Sequence, residues 1–118
     1  MTDREELEIA VKALDSKKAE KIKALKVGDL TILANYFVIA SASSVTHVKA
    51  LADEVEYQLG LKGVQPKSVE GQQSRNWIVL DYVDIIVHVF LDETRDFYQL
   101  EHLWADGTEV DISDLVTG

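Results

Sequence analysis

The chain has 118 residues, 47% of them hydrophobic, and no cysteine. This fits one folded domain and excludes a disulfide frame, thiol catalysis and thiolate metal ligation. A formal net charge of -9 opposes docking on phosphate backbones and suits a basic protein partner. Thr2–Glu8 is acidic where a secretory leader would be basic, and no apolar run approaches the roughly 20 residues of a membrane span, so a soluble, cytoplasmic protein is expected.

Thr2-Asp3-Arg4-Glu5 has the form of a capping box. Leu7, Ala10, Val11 and Leu14 follow at helical spacing, and Lys17 and Lys18 suit the negative end of that helix. Ala19–Val27 alternates apolar and charged residues, with Ile22, Ala24 and Lys26 on one side and Lys21, Lys23 and Leu25 on the other, as in a strand. Gly28-Asp29 breaks it. The nearly all-apolar segment Tyr36–Ala42 predicts a strand covered on both faces.

Ser43 or Ser44 caps a second helix with Val48, Leu51, Ala52, Val55 and Leu59 on one stripe, stopped by Gly60 or Gly63. An extended segment, Gln65–Val69, follows around the lone Pro66. A strand, a helix and a strand in succession form a crossover, which favours a parallel pair. Trp77–Tyr82 and Ile85–Leu91, separated only by Val83-Asp84, require an antiparallel hairpin. The expected fold is therefore α/β: a single domain with a mixed β-sheet flanked by helices. A last helix, capped by Thr94 and carrying Phe97, Leu100, Leu103 and Trp104, ends at Gly107. Residues 107–118, with Glu109, Asp111 and Asp114, are expected as a mobile acidic tail beyond a domain spanning 1–106.

No phosphate-binding glycine motif is present, and His47, His88 and His102 lack metal-ligand spacing, so no metal and no cofactor are expected. Ser41, Ser43 and Ser44 have no nucleophile-elbow frame; helix capping is their ordinary work. Asp81 and Asp84 flank the hairpin turn, where aspartate is a turn-former before it is a magnesium ligand. Alternation puts Trp77, Val79 and Asp81 on one face and Ile78, Leu80 and Tyr82 on the other. Trp77, sharing a face with Asp81, is expected to be partly exposed, as interface anchors are. His88, flanked by Ile86 and Phe90, reads as a hydrogen-bonded structural histidine. Tyr98 and Glu101 share a face of the last helix.

The segments KALDSKKAEKIKALKV, NYFVIASASSVTHVKALADEV, VEGQQSRNWIVLDYVDIIVHVF and FYQLEHLW, in order from about Val11 to Asp106, resemble the ribosomal silencing factor family, also called Iojap-related. The resemblance implies a nucleotidyltransferase-like α/β fold without the transferase carboxylates, and a translational repressor rather than an enzyme. Such a protein binds a basic protein of the large ribosomal subunit, the fourteenth in its conventional numbering, at the intersubunit face and sterically blocks subunit joining. By residue matching it implies a conserved surface at Glu70, Trp77, Asp84, His88, Tyr98, Glu101 and Trp104, the first six as the partner-binding residues and Trp104 as either surface or core, and a homodimer in solution. The alternatives are a large-subunit assembly factor without silencing, or an active nucleotidyltransferase. Two departures stand out: Ala42-Ser43-Ser44 replaces the family's Gly-Thr-Ser, and Val83 stands where the hairpin turn tends to have glycine. A β-branched residue tolerates positive φ poorly, so this turn is expected to be of another type or strained.

Overall fold

The computed structural model describes residues 1–28, 34–94 and 108–116. Helix α1 (Asp3–Ser16) starts at the expected capping box: Thr2 Oγ1 accepts from Glu5 N, and the Glu5 carboxylate accepts from Thr2 N. Its buried stripe includes Leu7, Ala10, Val11 and Leu14, the residues whose spacing predicted it. Strand β1 (Glu20–Lys26) runs antiparallel to β2 (Tyr36–Ala42), with a bulge between Glu20 and Lys23. Burial along β2 is nearly complete, as its composition requires.

Helix α2 (Val45–Leu61) is capped by Ser44, whose hydroxyl accepts from His47 N, and packs on α1 through the Val48–Leu59 stripe. Its end is a Schellman turn: Val64 N donates to Leu59 O, Gly63 N donates to Gly60 O, and Gly63 adopts φ 78. Strands β3 (Ser68–Glu70), β4 (Trp77–Asp81) and β5 (Ile85–Leu91) complete a meander. The sheet order is β3-β4-β5-β2-β1-β6, with β2 and β5 parallel and the other pairs antiparallel.

Two expectations change here. The crossover through α2 returns the chain parallel to β2, but β3 lands with two strands, β4 and β5, between it and β2. The parallel neighbour of β2 is β5, because β3 and β4 continue as consecutive hairpins before the chain reaches the centre. Residues 108–116 are not detached. Thr108–Glu109 form β6 on the edge of β1, Val110 N donates to Ala24 O, and Val110, Ile112, Leu115 and Val116 pack against the core. The carboxylates that suggested a mobile tail alternate with apolar residues that hold it down.

Both helices cover one face of the sheet, where Leu7, Leu14, Leu51, Leu59, Ile78, Leu80 and Val87 form the main core. The opposite face carries a smaller cluster of Leu25, Val27, Ala34, Phe37, Ile39 and Phe90, with Trp77 and Ile86 against it. That second face positions the candidate site.

Candidate functional site

Register decides which side chains meet on the second face. Antiparallel pairing sets Glu70 opposite Val79, Val79 opposite His88 and Trp77 opposite Phe90. Directly paired residues share a face, so Glu70, Trp77, His88 and Phe90 lie on one surface, flanked by Phe37 and Ile39 of β2. Trp77 stacks on Phe90 with ring centroids 4.9 Å apart, and its Nε1 donates to His88 Nδ1 at 3.1 Å. Phe37 meets His88 edge-on at 5.1 Å.

An imidazole nitrogen that accepts is unprotonated, so the Trp77 bond fixes the proton of His88 on Nε2. His88 is only 7% exposed, its buried Nε2 has no hydrogen-bond partner among the described residues, and burial drives the pKa down to about 4. A neutral, enclosed imidazole is no general base at neutral pH. It orients the indole, which remains half-buried, while Glu70 stays exposed on edge strand β3. The expected structural role of His88 and the partial exposure of Trp77 are both observed.

Gly71 fixes where β4 begins. It adopts φ 86, and a Cβ there would lie 2.0 Å from Trp77 O. No other residue type fits that approach, so the glycine next to Glu70 sets the placement of the indole strand.

Asp84 does not join this group. The hairpin turn sits at the far end of β4 from Trp77, and there the carboxylate oxygens of Asp84, Asp3 and Glu6 lie within 4.8 Å of one another. Desolvation, then the charges of Asp84 and Asp3, push the buried Glu6 carboxyl up; desolvation, then Asp3, does the same to Asp84. Nothing in the sequence signalled this cluster, because it joins the start of the chain to a distant turn. Asn35 Nδ2 donates to Asp3 at its rim. Asp81 acts locally instead, its Oδ1 accepting from Val83 N at 2.8 Å. The pair considered for magnesium therefore divides between turn chemistry and the start of α1.

His47 caps the far turn of α1, its Nε2 2.6 Å from Lys17 O, and among the described residues no metal-type cluster contains a histidine. Tyr98, Glu101, His102 and Trp104 lie outside the described residues, as do Phe97, Leu100 and Leu103, on which the expectation of a last helix rests.

Comparison with known proteins gives a consistent picture. The model of a family described as "Ribosomal silencing factor during starvation" matches residues 1–117. A ribosomal silencing factor of Bacillus subtilis is 38% identical over 112 residues, 95% of each chain. A crystal structure of a Chromobacterium violaceum protein superposes with a TM-score of 0.87 at 36% identity, covering 89% of this chain and 88% of that one. A mouse protein named for mitochondrial assembly of the large ribosomal subunit is 28% identical over 103 residues, 85% of this chain and 45% of its own length.

Proposed function

Because this chain belongs to the ribosomal silencing factor family, we propose that it is a translational repressor that binds the large ribosomal subunit and blocks its association with the small one. The observation that carries this reading is the family match over residues 1–117. The second sheet face supplies a surface to bind with. Trp77, clamped between Phe90 and His88, offers a rigid, half-buried aromatic edge next to the exposed Glu70. Pre-oriented aromatics lose little entropy on docking and make strong anchors.

The acidic balance favours a basic ribosomal protein as the direct contact, with charge steering the encounter. Tyr98 and Glu101 belong to the same proposal through the family resemblance. Blocking is steric, so the function requires no cofactor and no chemistry. A large-subunit assembly role is the second reading, favoured by the name of the mouse relative.

Sedimentation tests the first reading. Protein in stoichiometric excess over separated subunits should travel with the large subunit and reduce the joined peak. Undiminished joining would overturn repression while leaving assembly standing. Trp77→Ala should weaken binding at least tenfold, the order expected for an aromatic anchor, with the circular dichroism melt reporting that the fold persists. Binding unchanged by that substitution would remove Trp77 from the interface.

A further inference from the structure

Acids in the first turn of a helix ordinarily sit in water and complement its dipole. Asp3 and Glu5 of α1 fit that pattern, Glu5 by closing the capping box. Glu6 does not. It is 6% exposed, and its carboxyl is acted on by burial and then by the charges of Asp84 and Asp3, with no hydrogen-bond donor among these influences. A buried carboxylate ordinarily accepts hydrogen bonds or meets a cation.

A second buried polar group nearby also lacks a partner. Tyr82 is 5% exposed and packs in the core between the helices and the sheet, and its hydroxyl is buried without a partner among the described residues. Burial, then the charges of Glu56 and Glu6, push this phenol up, so the hydroxyl lies within the field of the Glu6 carboxylate. Both groups sit at one end of the sheet, where α1 begins and the β4–β5 hairpin turns.

The charges at this end do not balance. The helix start contributes roughly half a positive charge, and Asn35 Nδ2 donates to Asp3. Arg4, the base of this turn, pairs with Glu8 at 3.2 Å instead. Three carboxylates remain, each with an oxygen within 4.8 Å of the other two. Oxygens on opposite sides of a calcium ion lie about 4.6–5.2 Å apart, and those across magnesium about 4.0–4.2 Å. One ion can therefore reach all three carboxylates by side-chain adjustment alone. The group contains no histidine and no thiolate, so its chemistry favours a hard cation over zinc or copper. A partner's lysine could meet the exposed Asp84, but only a small ion reaches Glu6 beneath the helix.

We propose that Asp3, Glu6 and Asp84 bind a hard divalent cation, calcium or magnesium, whose remaining positions are filled by water. One such water supplies the partner that the Tyr82 hydroxyl lacks. The ion clips the first turn of α1 to the hairpin turn, two segments far apart in the chain. With Asp84 exposed, the dissociation constant should be on the order of 10⁻⁴–10⁻³ M. The site lies at the opposite end of β4 from Trp77 and does not rest on the proposed binding to the ribosome.

Thermal melts of chelator-treated protein at pH 7.5 test the site, with calcium, magnesium or potassium chloride added at matched ionic strength. At a tenfold excess over the dissociation constant the divalent cation should raise the melting temperature by roughly 5 °C, and potassium should not. A response to calcium alone, or to magnesium as well, identifies the ion. Asp84→Asn, at an exposed position, should keep the fold by circular dichroism and lose most of the shift. Glu6→Gln should melt above the wild type in chelator and gain less from the cation. Terbium, a calcium mimic, should show luminescence sensitised by Tyr82 that falls in Tyr82→Phe; unchanged luminescence would place the ion elsewhere. No shift with either cation, or equal shifts in wild type and Asp84→Asn, would overturn the site. A proton shared between Asp3 and Asp84 would then be what holds those carboxylates together.

Discussion

In the hairpin turn Asp84 N donates to Tyr82 O at 2.9 Å around Val83 at φ 74, the pattern of the rare, strained γ-turn. Val83 is 56% exposed, so its side chain offsets little of that strain by burial. Replacing it with glycine removes the Cβ clash at the cost of extra freedom in the unfolded chain. Val83→Gly should therefore stabilise the protein by about 0.5–1 kcal/mol, read as a higher urea midpoint; a lower midpoint would show that the turn is relaxed as it stands. His88 gives a second prediction. Its folded pKa of about 4 lies below the ordinary value of 6.5, so between those values the unfolded chain takes up a proton that the folded chain refuses. The imidazole is without effect on stability above pH 6.5, and costs up to about 3 kcal/mol as pH falls to 4. A His88→Phe variant should lose this pH dependence, although the Trp77 Nε1–H then has no acceptor there and neutral-pH stability falls. Equal slopes for wild type and variant between pH 6.5 and 4.5 would dismiss the assignment.

Among the elements, α1, α2 and the β4–β5 hairpin were legible because their apolar periods and caps are local. The face assignment of Trp77 followed from alternation, and the turn role of Asp81 from its place beside the short hairpin connection. Non-local pairing was not legible. Nothing near Ser68 says that its strand will sit at the sheet edge, and nothing near Asp84 reveals Glu6. The sixth strand was hidden because Glu109, Asp111 and Asp114 dominate its composition, while Val110, Ile112, Leu115 and Val116 do the packing. Removing residues 108–118 should thus cost stability, on the order of 2–4 kcal/mol for several half-buried aliphatics. It would also open the edge of β1 next to Leu25, and edges left open promote association. Thermal melts and light scattering would check both outcomes; a truncated chain as stable and as monodisperse as the full one would mean that β6 only rests on the surface.

Across the whole molecule, α1 joins two electrostatic poles. Its first turn meets the carboxylates of Asp3, Glu6 and Asp84, and its last leads into the lysine-rich segment from Lys17 to Lys26. The acidic pole is not a simple gain from the helix dipole, because Glu6 is buried beside two like charges and has its pKa raised. A raised carboxyl binds a proton in the folded state before it does so in the unfolded state. The repulsion therefore weakens the fold at neutral pH and is relieved as pH drops through the folded pKa. That sign is opposite to the effect of His88, so on acidification proton uptake at the acidic pole offsets part of the loss at the histidine. Glu6→Gln, which keeps shape and removes charge, should raise the urea midpoint at pH 7.5. The advantage over wild type should shrink as pH falls, because the wild-type carboxyl, with its pKa raised, then gains its own proton. Because the offset is then absent, the stability of the variant should also fall more steeply with acid than that of the wild type. A variant no more stable at pH 7.5, or one whose advantage persists unchanged to pH 5, would show that Glu6 is held by a favourable partner rather than by packing against its charge.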